Sequence, residues 1–278
     1  MARRTIGCAI WSLGIPDTVR ALHAAREIGF GAVQFTFFKA SDLAPANLEA
    51  IRDALKATAL AVPAGMISFR GEDYSTIEAI RASGGFAPAA TFTERLEHCR
   101  RVGEGLARLG IRHVTTHAGF IPEAGDPAYA DVLDRVAKAS DVLHEAGLSV
   151  GLETGQETSG VLLRMLDDLG RGFLKVNYDP ANLILYGVQE PVEAARVLGS
   201  RVGLMHAKDA RWSARPGREW GKEVPLGQGD VDFRAVLAAL GEGGFVGPIV
   251  VERESGSDRA GDMVAGRKFL ESIMQANP

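Results

Sequence analysis

Cysteine is scarce in this chain. Two occur in 278 residues, Cys8 and Cys99, with no C-x-x-C pair, which excludes a disulfide framework and leaves them as small core residues of a reducing compartment. Long apolar runs are missing too. No stretch of about 18 apolar residues appears, and the N-terminal segment MARRTIGCAIWSLG has two arginines but no apolar centre with a small-residue cleavage site. We therefore expect a cytoplasmic protein with no membrane attachment. Positive charge is not in excess either: 31 Lys and Arg against 35 Asp and Glu give a net charge of -4 and a pI near 5.9. That balance offers no footprint for nucleic acid or an anionic membrane, so small molecules remain as the expected partners.

What the chain does have is 46% apolar and 24% charged residues, the composition of an ordinary globular protein. Short apolar runs alternate with amphipathic segments from end to end. Strands are expected at 5–11, 32–36, 59–67, 113–117, 148–153, 174–179, 202–206 and 249–252. Helices are expected at 15–28, 45–57, 93–109, 127–145, 160–169, 191–198, 233–239 and 261–274. Gly29, Gly110, Gly147, Gly170 and Gly199 close helices, and Pro16, Pro45, Pro127 and Pro191 open them. The strands are nearly continuously apolar, as when both faces are covered. Eight βα units in this length predict an α/β fold, a (β/α)8 TIM barrel, with residues 1–278 as a single domain. A doubly wound open sheet is the competing arrangement, but the first strand runs into IWSLGIPD rather than the G-x-G-x-x-G that such sheets use for phosphate. Two insertions, 68–91 and 207–230, follow strands and so belong on the catalytic face of a barrel. Rich in glycine and carrying Phe69, Tyr74, Phe86, Trp212 and Trp220, they are candidate lids.

Glu153, Asp179, His206 and Glu252 each stand at the end of a short apolar run: LSVGLE, FLKVNYD, RVGLMH and PIVVE. A polar group at the end of a buried strand is costly unless something there requires it. One such residue alone reads as a turn, a cap or a satisfied hydrogen bond. Four on successive strands of a barrel converge on one mouth and read as a metal site. Three carboxylates and an imidazole suit Mn²⁺ first, with Mg²⁺, Co²⁺ and Zn²⁺ as alternatives, and suit a soft thiolate metal poorly.

Other polar residues fall near the same mouth. His117 ends strand four and is a candidate substrate contact. Lys208, Asp209 and Arg211 follow His206 and are candidates for orienting substrate hydroxyls or holding the histidine in one tautomer. Trp11, Gln34 and Met66 close the first three strands and are assigned to an apolar wall, with core packing as the alternative. In PLGQGDVDF we expect a glycine turn with Asp230 or Asp232 as a helix cap rather than a phosphate site.

The segments GLETG, NYDPANL, HAKDA, PLGQGDVDF and VVERES, in that order, resemble the xylose isomerase-like barrel superfamily of sugar and sugar-phosphate isomerases and epimerases. The resemblance implies that Glu153 and Glu252 both bind metal and act as the acid/base pair, with Asp179 and His206 as the other two ligands. Ketose epimerases place a substrate-binding His three residues after the ligand aspartate. Here that position is Asn182, which keeps hydrogen bonding but loses a titratable group. The implied enzyme is a divalent-metal-dependent isomerase or epimerase of a sugar, keto-sugar or polyol. It moves a proton through an enediolate, which the metal stabilises and the two glutamates serve as acid and base. A lyase or dehydratase acting on an inosose or keto-sugar at the same site is the alternative. An endonuclease IV-like DNA-repair enzyme needs three zinc ions and more strand-end histidines than His117 and His206. No dense Arg/Lys clamp accompanies the motifs, which favours an unphosphorylated substrate. A homo-oligomer, dimer or tetramer, is expected from barrels of this kind.

Overall fold

In a computed structural model, residues 4–275 are described; positions 1–3, with one of the two N-terminal arginines, and 276–278 of the expected domain lie outside them. Eight parallel strands close into a barrel. They are β1 (Ile6–Ala9), β2 (Ala32–Phe35), β3 (Ala61–Ile67), β4 (His113–Thr116), β5 (Ser149–Glu153), β6 (Leu174–Tyr178), β7 (Val202–Ala207) and, last in the chain, β10 (Ile249–Val251). Neighbours in sequence are neighbours in space, and β1 closes the ring by pairing Ile6 with Ile249 and Cys8 with Val33. Between β7 and β10 the chain inserts an antiparallel hairpin, β8 (Asp209–Arg211) and β9 (Lys222–Val224).

The helices pack outside the barrel because each presents one apolar stripe. They are α1 (Thr18–Glu27), α2 (Pro45–Thr58), α3 (Ile77–Ser83), α4 (Phe92–Arg108), α5 (Tyr129–Glu145), α6 (Ser159–Leu169), α7 (Pro180–Leu185), α8 (Pro191–Leu198), α9 (Phe233–Glu242) and α10 (Arg259–Gln275). With helices outside and side chains filling the bore, the strands are covered on both faces, and all four residues of β2 are buried. Inside the bore, Ala9, Ala64, Leu204 and Val250 form a small apolar plug beneath Trp11. Both cysteines are buried and unpaired, and burial pushes each thiol up to about 12.

The expected punctuation holds in most places. Gly29, Gly110, Gly147 and Gly170 take left-handed conformations after α1, α4, α5 and α6, which a side chain would resist. Gly199 does not: its φ is -46° and it begins a short 3₁₀ turn. Pro45 and Pro191 open their helices, whereas α1 starts at Thr18 with Asp17 capping it and α5 starts at Tyr129, two residues beyond Pro127. The expectation left out α3, α7 and the hairpin, all within connections on the C-terminal side of the strands. Among the described residues, no helix is long and apolar enough to cross a membrane.

Candidate metal centre

Strand geometry alone brings the four strand-end residues together. Glu153 is the last residue of β5, Asp179 follows β6, His206 is one short of the end of β7, and Glu252 follows β10. Parallel strands of one barrel end on one face, so these positions meet at the mouth. One ligand atom from each lies within 4.8 Å of all the others, and all four residues are buried. His206 Nδ1 is 3.3 Å from Glu153 Oε1, 3.3 Å from Glu252 Oε2 and 3.8 Å from Asp179 Oδ2.

Each side chain is held by its other polar atoms. Asp179 caps α7: its Oδ1 accepts N–H bonds from Ala181 and Asn182, while Oδ2 is buried with no hydrogen-bond partner. His206 donates from Nε2 to Gln34 Oε1 at 2.6 Å, and Gln34 in turn donates to Thr115 Oγ1. That bond puts a proton on Nε2, so Nδ1, itself without a hydrogen-bond partner, is the nitrogen that faces the carboxylates: they keep it protonated in the absence of a cation, and it is the one free to ligate when an ion replaces that proton. Glu153 receives Asn182 Nδ2 on Oε1 and Asn177 Nδ2 on Oε2. Glu252 receives Trp11 Nε1 on Oε1 at 2.7 Å and Lys208 Nζ on Oε2 at 3.1 Å. The register of the barrel shifts between Ala32 and Gln34 on β2 and between Val176 and Asn177 on β6, beside two of these supporting residues.

Three carboxylates this close and this deep repel one another unless positive charge is supplied. Burial raises the Asp179 carboxyl above its usual range, with Lys208 opposing. Burial also works against ionised Glu252, yet Lys208 and His206 hold it well below that range. Glu153 is likewise held low, where His117 and His206 outweigh burial. Lys208 alone does not balance three negative charges. Two buried donor atoms without partners, an oxygen-rich set and one imidazole nitrogen in a fixed tautomer are what a hard or borderline divalent cation requires.

The remaining sequence candidates divide into two groups. Trp11, His117, Asn182 and Lys208 line a cavity of about 610 Å³ over the cluster, with His117 Nε2 3.7 Å from Glu153 Oε2. Asp209 and Arg211, expected to orient substrate, are elsewhere. Asp209 accepts N–H bonds from Ala210, Gly227, Gly229 and Val231, and a Cβ on Gly229 would lie 2.1 Å from its carboxylate. The glycine turn of PLGQGDVDF thus wraps this chain's own carboxylate, and Asp232 caps α9 as expected. Arg211 is exposed and donates to the Gln228 carbonyl, because the β8–β9 hairpin turns it outward. Met66 lines the cavity as expected, but Gln34 belongs to the histidine support rather than to an apolar wall.

Both insertions reach the mouth through part of their length. Phe69, Tyr74 and Trp220 line the cavity, whereas Phe86 is buried against Phe69 and Trp212 packs on the core. The first insertion is fastened: Glu72 accepts from the Phe69 and Gly85 amides, and Arg95 of α4 reaches the Ser83 and Gly85 carbonyls. Tyr186, Glu72 and Glu254 also line the cavity and went unnoticed in the sequence. Glu254 carried a usable signal, an acid two positions beyond Glu252 in VVERES. Tyr186 carried none, because it ends a six-residue helix that no periodicity marks.

Residues 22–273 match the model of a family described as xylose isomerase-like TIM barrel. A solved structure of a xylose isomerase domain protein from Planctomyces limnophilus is 31% identical over 92% of each chain, with a TM-score of 0.88. A xylose isomerase-like TIM barrel protein from Mycobacterium smegmatis, solved in complex with magnesium, is 19% identical over 98% of this chain and 97% of that one, with a TM-score of 0.75. The uncharacterized protein MJ1311 of Methanocaldococcus jannaschii is 25% identical over 190 residues, 64% of this chain and 63% of that protein. The chain therefore spans less than two thirds of that relative's length. At 17% identity, L-ribulose 3-epimerase (TM-score 0.73) and the probable 3-DHS dehydratase AsbF from Bacillus anthracis (TM-score 0.71) share the fold over nearly their whole lengths.

Proposed function

Because the chain belongs to the xylose isomerase-like TIM barrel family, with sugar epimerases and a dehydratase among its structural neighbours, we propose that it is a divalent-metal-dependent isomerase or epimerase of a keto-sugar or polyol, working in the cytoplasm. The observation that carries this reading is the cluster of Glu153, Asp179, His206 and Glu252, converging within 4.8 Å, of which Glu153 and Glu252 line an open cavity. These four residues would hold the ion, Mn²⁺ before Mg²⁺, Co²⁺ or Zn²⁺. Once bound, it supplies Lewis-acid stabilisation of the negative charge that develops on a substrate oxygen.

The chain's own residues carry the proton. Removing hydrogen from the carbon beside a carbonyl leaves an enediolate, and returning it to the other face or the neighbouring carbon gives the product. Glu153 and Glu252 form the acid/base pair. Glu252 is kept ionised by Lys208 and aimed by the Trp11 indole. Glu153 is aimed by Asn177 and Asn182 and has His117 beside it. Asn182 fixes Glu153 as a neutral donor, so exchange of protons with the substrate falls to the glutamates.

The test uses Mn²⁺-loaded protein and a panel of unphosphorylated keto-sugars in D2O, followed by mass and NMR. Deuterium incorporated at the carbon next to the carbonyl, with conserved mass otherwise, is expected. Glu153→Gln and Glu252→Gln should each lower kcat at least a thousandfold while the fold, read by circular dichroism, persists. Full turnover in either variant rejects the acid/base assignment. Loss of water from the product instead identifies the elimination that the same carboxylates can perform.

A further inference from the structure

Main-chain pairing holds three of the four candidate ligands in the barrel. Glu153 is paired with Asn177 and His206 with Val250, and Glu252 donates its N–H to the Ala207 carbonyl. Asp179 is the exception. It stands one residue past β6, where the ladder with β7 has already ended at Tyr178 and Met205. The residue is fully buried, so its N–H and C=O need partners there.

Both groups find the same side chain. Thr154 Oγ1 accepts from the Asp179 N–H at 2.8 Å and donates to the Asp179 carbonyl at 2.9 Å. A hydroxyl carries one proton and two lone pairs, so it fills both roles at once. The Thr154 main chain is tied to the same place: its N–H donates to the Asn177 carbonyl at 3.1 Å, and its carbonyl accepts from Asn182 Nδ2 at 3.4 Å. Gly155 completes the approach. At φ +143° it lies so near α7 that a Cβ would come within 2.5 Å of Asn182 Cβ. Thr154 is itself buried and is not among the residues that line the cavity, so its hydroxyl serves the protein and not a substrate.

The consequence is geometric. Glu153 ends β5 and Thr154 follows it directly, so the strand that delivers one candidate ligand also grips the backbone of another. Asp179 has little freedom left. Its Oδ1 is committed to the Ala181 and Asn182 amides, and its Oδ2 faces His206 Nδ1 at 3.8 Å. With the side chain held by the helix cap, the place of Oδ2 follows the place of the Asp179 backbone.

We propose that Thr154 is a positioning residue of the metal centre, its hydroxyl acting as one further rung between β5 and β6 that sets the separation of Glu153 and Asp179. The proposal rests on the reading of these residues as metal ligands. Binding of Mn²⁺ by the parent chain tests that reading, and the Thr154 variants test the inference. Calorimetric titration of the full chain with Mn²⁺ would compare the parent with Thr154→Val, which keeps the shape without the hydroxyl, with Thr154→Ala, and with Thr154→Ser, which keeps the hydroxyl. Val and Ala should weaken Mn²⁺ binding roughly 10- to 100-fold, as loss of a group that orients a ligand does, and Ser should stay within about threefold of the parent. Affinity is read on folded protein, checked by circular dichroism. A hydroxyl that only stabilised the fold would therefore lower the melting temperature and leave Kd unchanged. The visible absorption of the Co²⁺-loaded chains is the second readout, because it follows ligand geometry. At saturation the bands of the Val and Ala variants should move away from those of the parent, and those of the Ser variant should coincide with them. Parent-like affinity in folded Thr154→Val and Thr154→Ala, a Ser variant as weak as Val, Co²⁺ bands identical in all the chains, or loss of the fold in both hydroxyl-free variants would overturn the proposal. A parent chain that binds no Mn²⁺ rejects the metal reading and the inference with it.

Discussion

At the scale of single residues, the metal-centre candidates were readable because cost marks them: a carboxylate or imidazole at the end of a buried run needs a reason. Their supports were not readable. Gln34 lies on β2 and His206 on β7, 172 positions apart in sequence, and only barrel closure brings them to 2.6 Å. Gln34→Leu should weaken Mn²⁺ binding, measured by calorimetry, roughly 10- to 100-fold, as loss of a partner that orients a histidine ligand does elsewhere. Unchanged affinity would show that the histidine keeps its tautomer without this bond. Asp209 and Arg211 were misplaced for the converse reason. Proximity in sequence to His206 suggested the mouth, but the strand ends at Ala207 and the hairpin that starts at Asp209 redirects both. A second residue-scale prediction concerns Glu157, buried after β5 and not among the cavity-lining residues. Burial pushes its carboxyl from 4.5 up to about 8. The folded chain then retains a proton that the unfolded chain releases, so stability declines as pH rises from about 4.5 to 8. Glu157→Gln removes this decline and should stabilise the protein by on the order of a few kcal/mol at pH 8. The gain should be small at pH 5. Melting temperatures at the two pH values check it, and an equal gain at both would refute the assignment.

Elements are set by punctuation and periodicity, and here the sequence was most informative. All eight barrel strands and the eight long helices appear near their expected places, because the apolar runs and the left-handed glycines at 29, 110, 147 and 170 are local signals. What escaped notice is short. α3, α7 and the β8–β9 hairpin are seven, six and three residues per element, too brief for a periodic pattern to register. Their places come from tertiary fasteners instead: Arg95 to the Ser83 and Gly85 carbonyls, Asp179 at the start of α7, and Arg253 joining Glu223 of the hairpin to Asp262 of α10. One element ends against its own propensity. α2 terminates at Ala59, a non-glycine residue at φ 51°, exposed to solvent. An alanine there carries a left-handed strain of about 1 kcal/mol that glycine does not. Ala59→Gly should therefore raise the unfolding free energy by roughly 0.5–1 kcal/mol, after allowing for glycine's larger entropy when unfolded. Chemical denaturation measures it; a loss of stability would mean that the turn is held by contacts stronger than the strain.

Over the whole molecule, the four-ligand cluster sets stability against function. β5, β6, β7 and β10 are adjacent in the ring, and each delivers one buried ionisable group to the same point. Without a bound cation, three carboxylates share Lys208 and a histidine proton, and the mouth of the barrel carries their repulsion. A divalent ion that binds only the folded chain adds RT ln(1 + [M]/Kd), about 2.7 kcal/mol at a hundredfold excess over Kd. For a chain of this size that corresponds to a rise in Tm of about 5–10 °C. Removing one negative charge separates the two effects. Asp179→Asn keeps an oxygen to cap α7, where Oδ1 now accepts from Ala181 and Asn182, and replaces Oδ2, which accepts no hydrogen bond and lies 3.5 Å from Lys208 Nζ, with a neutral amide. In chelator-treated samples this variant should melt at or above the parent, because repulsion is relieved. With Mn²⁺ added, the parent should rise by the stated amount and the variant should barely move. If chelated Asp179→Asn melts well below the parent, the aspartate serves the fold through its charge and not the ion. If the variant gains as much from Mn²⁺ as the parent does, the ion is held without Asp179.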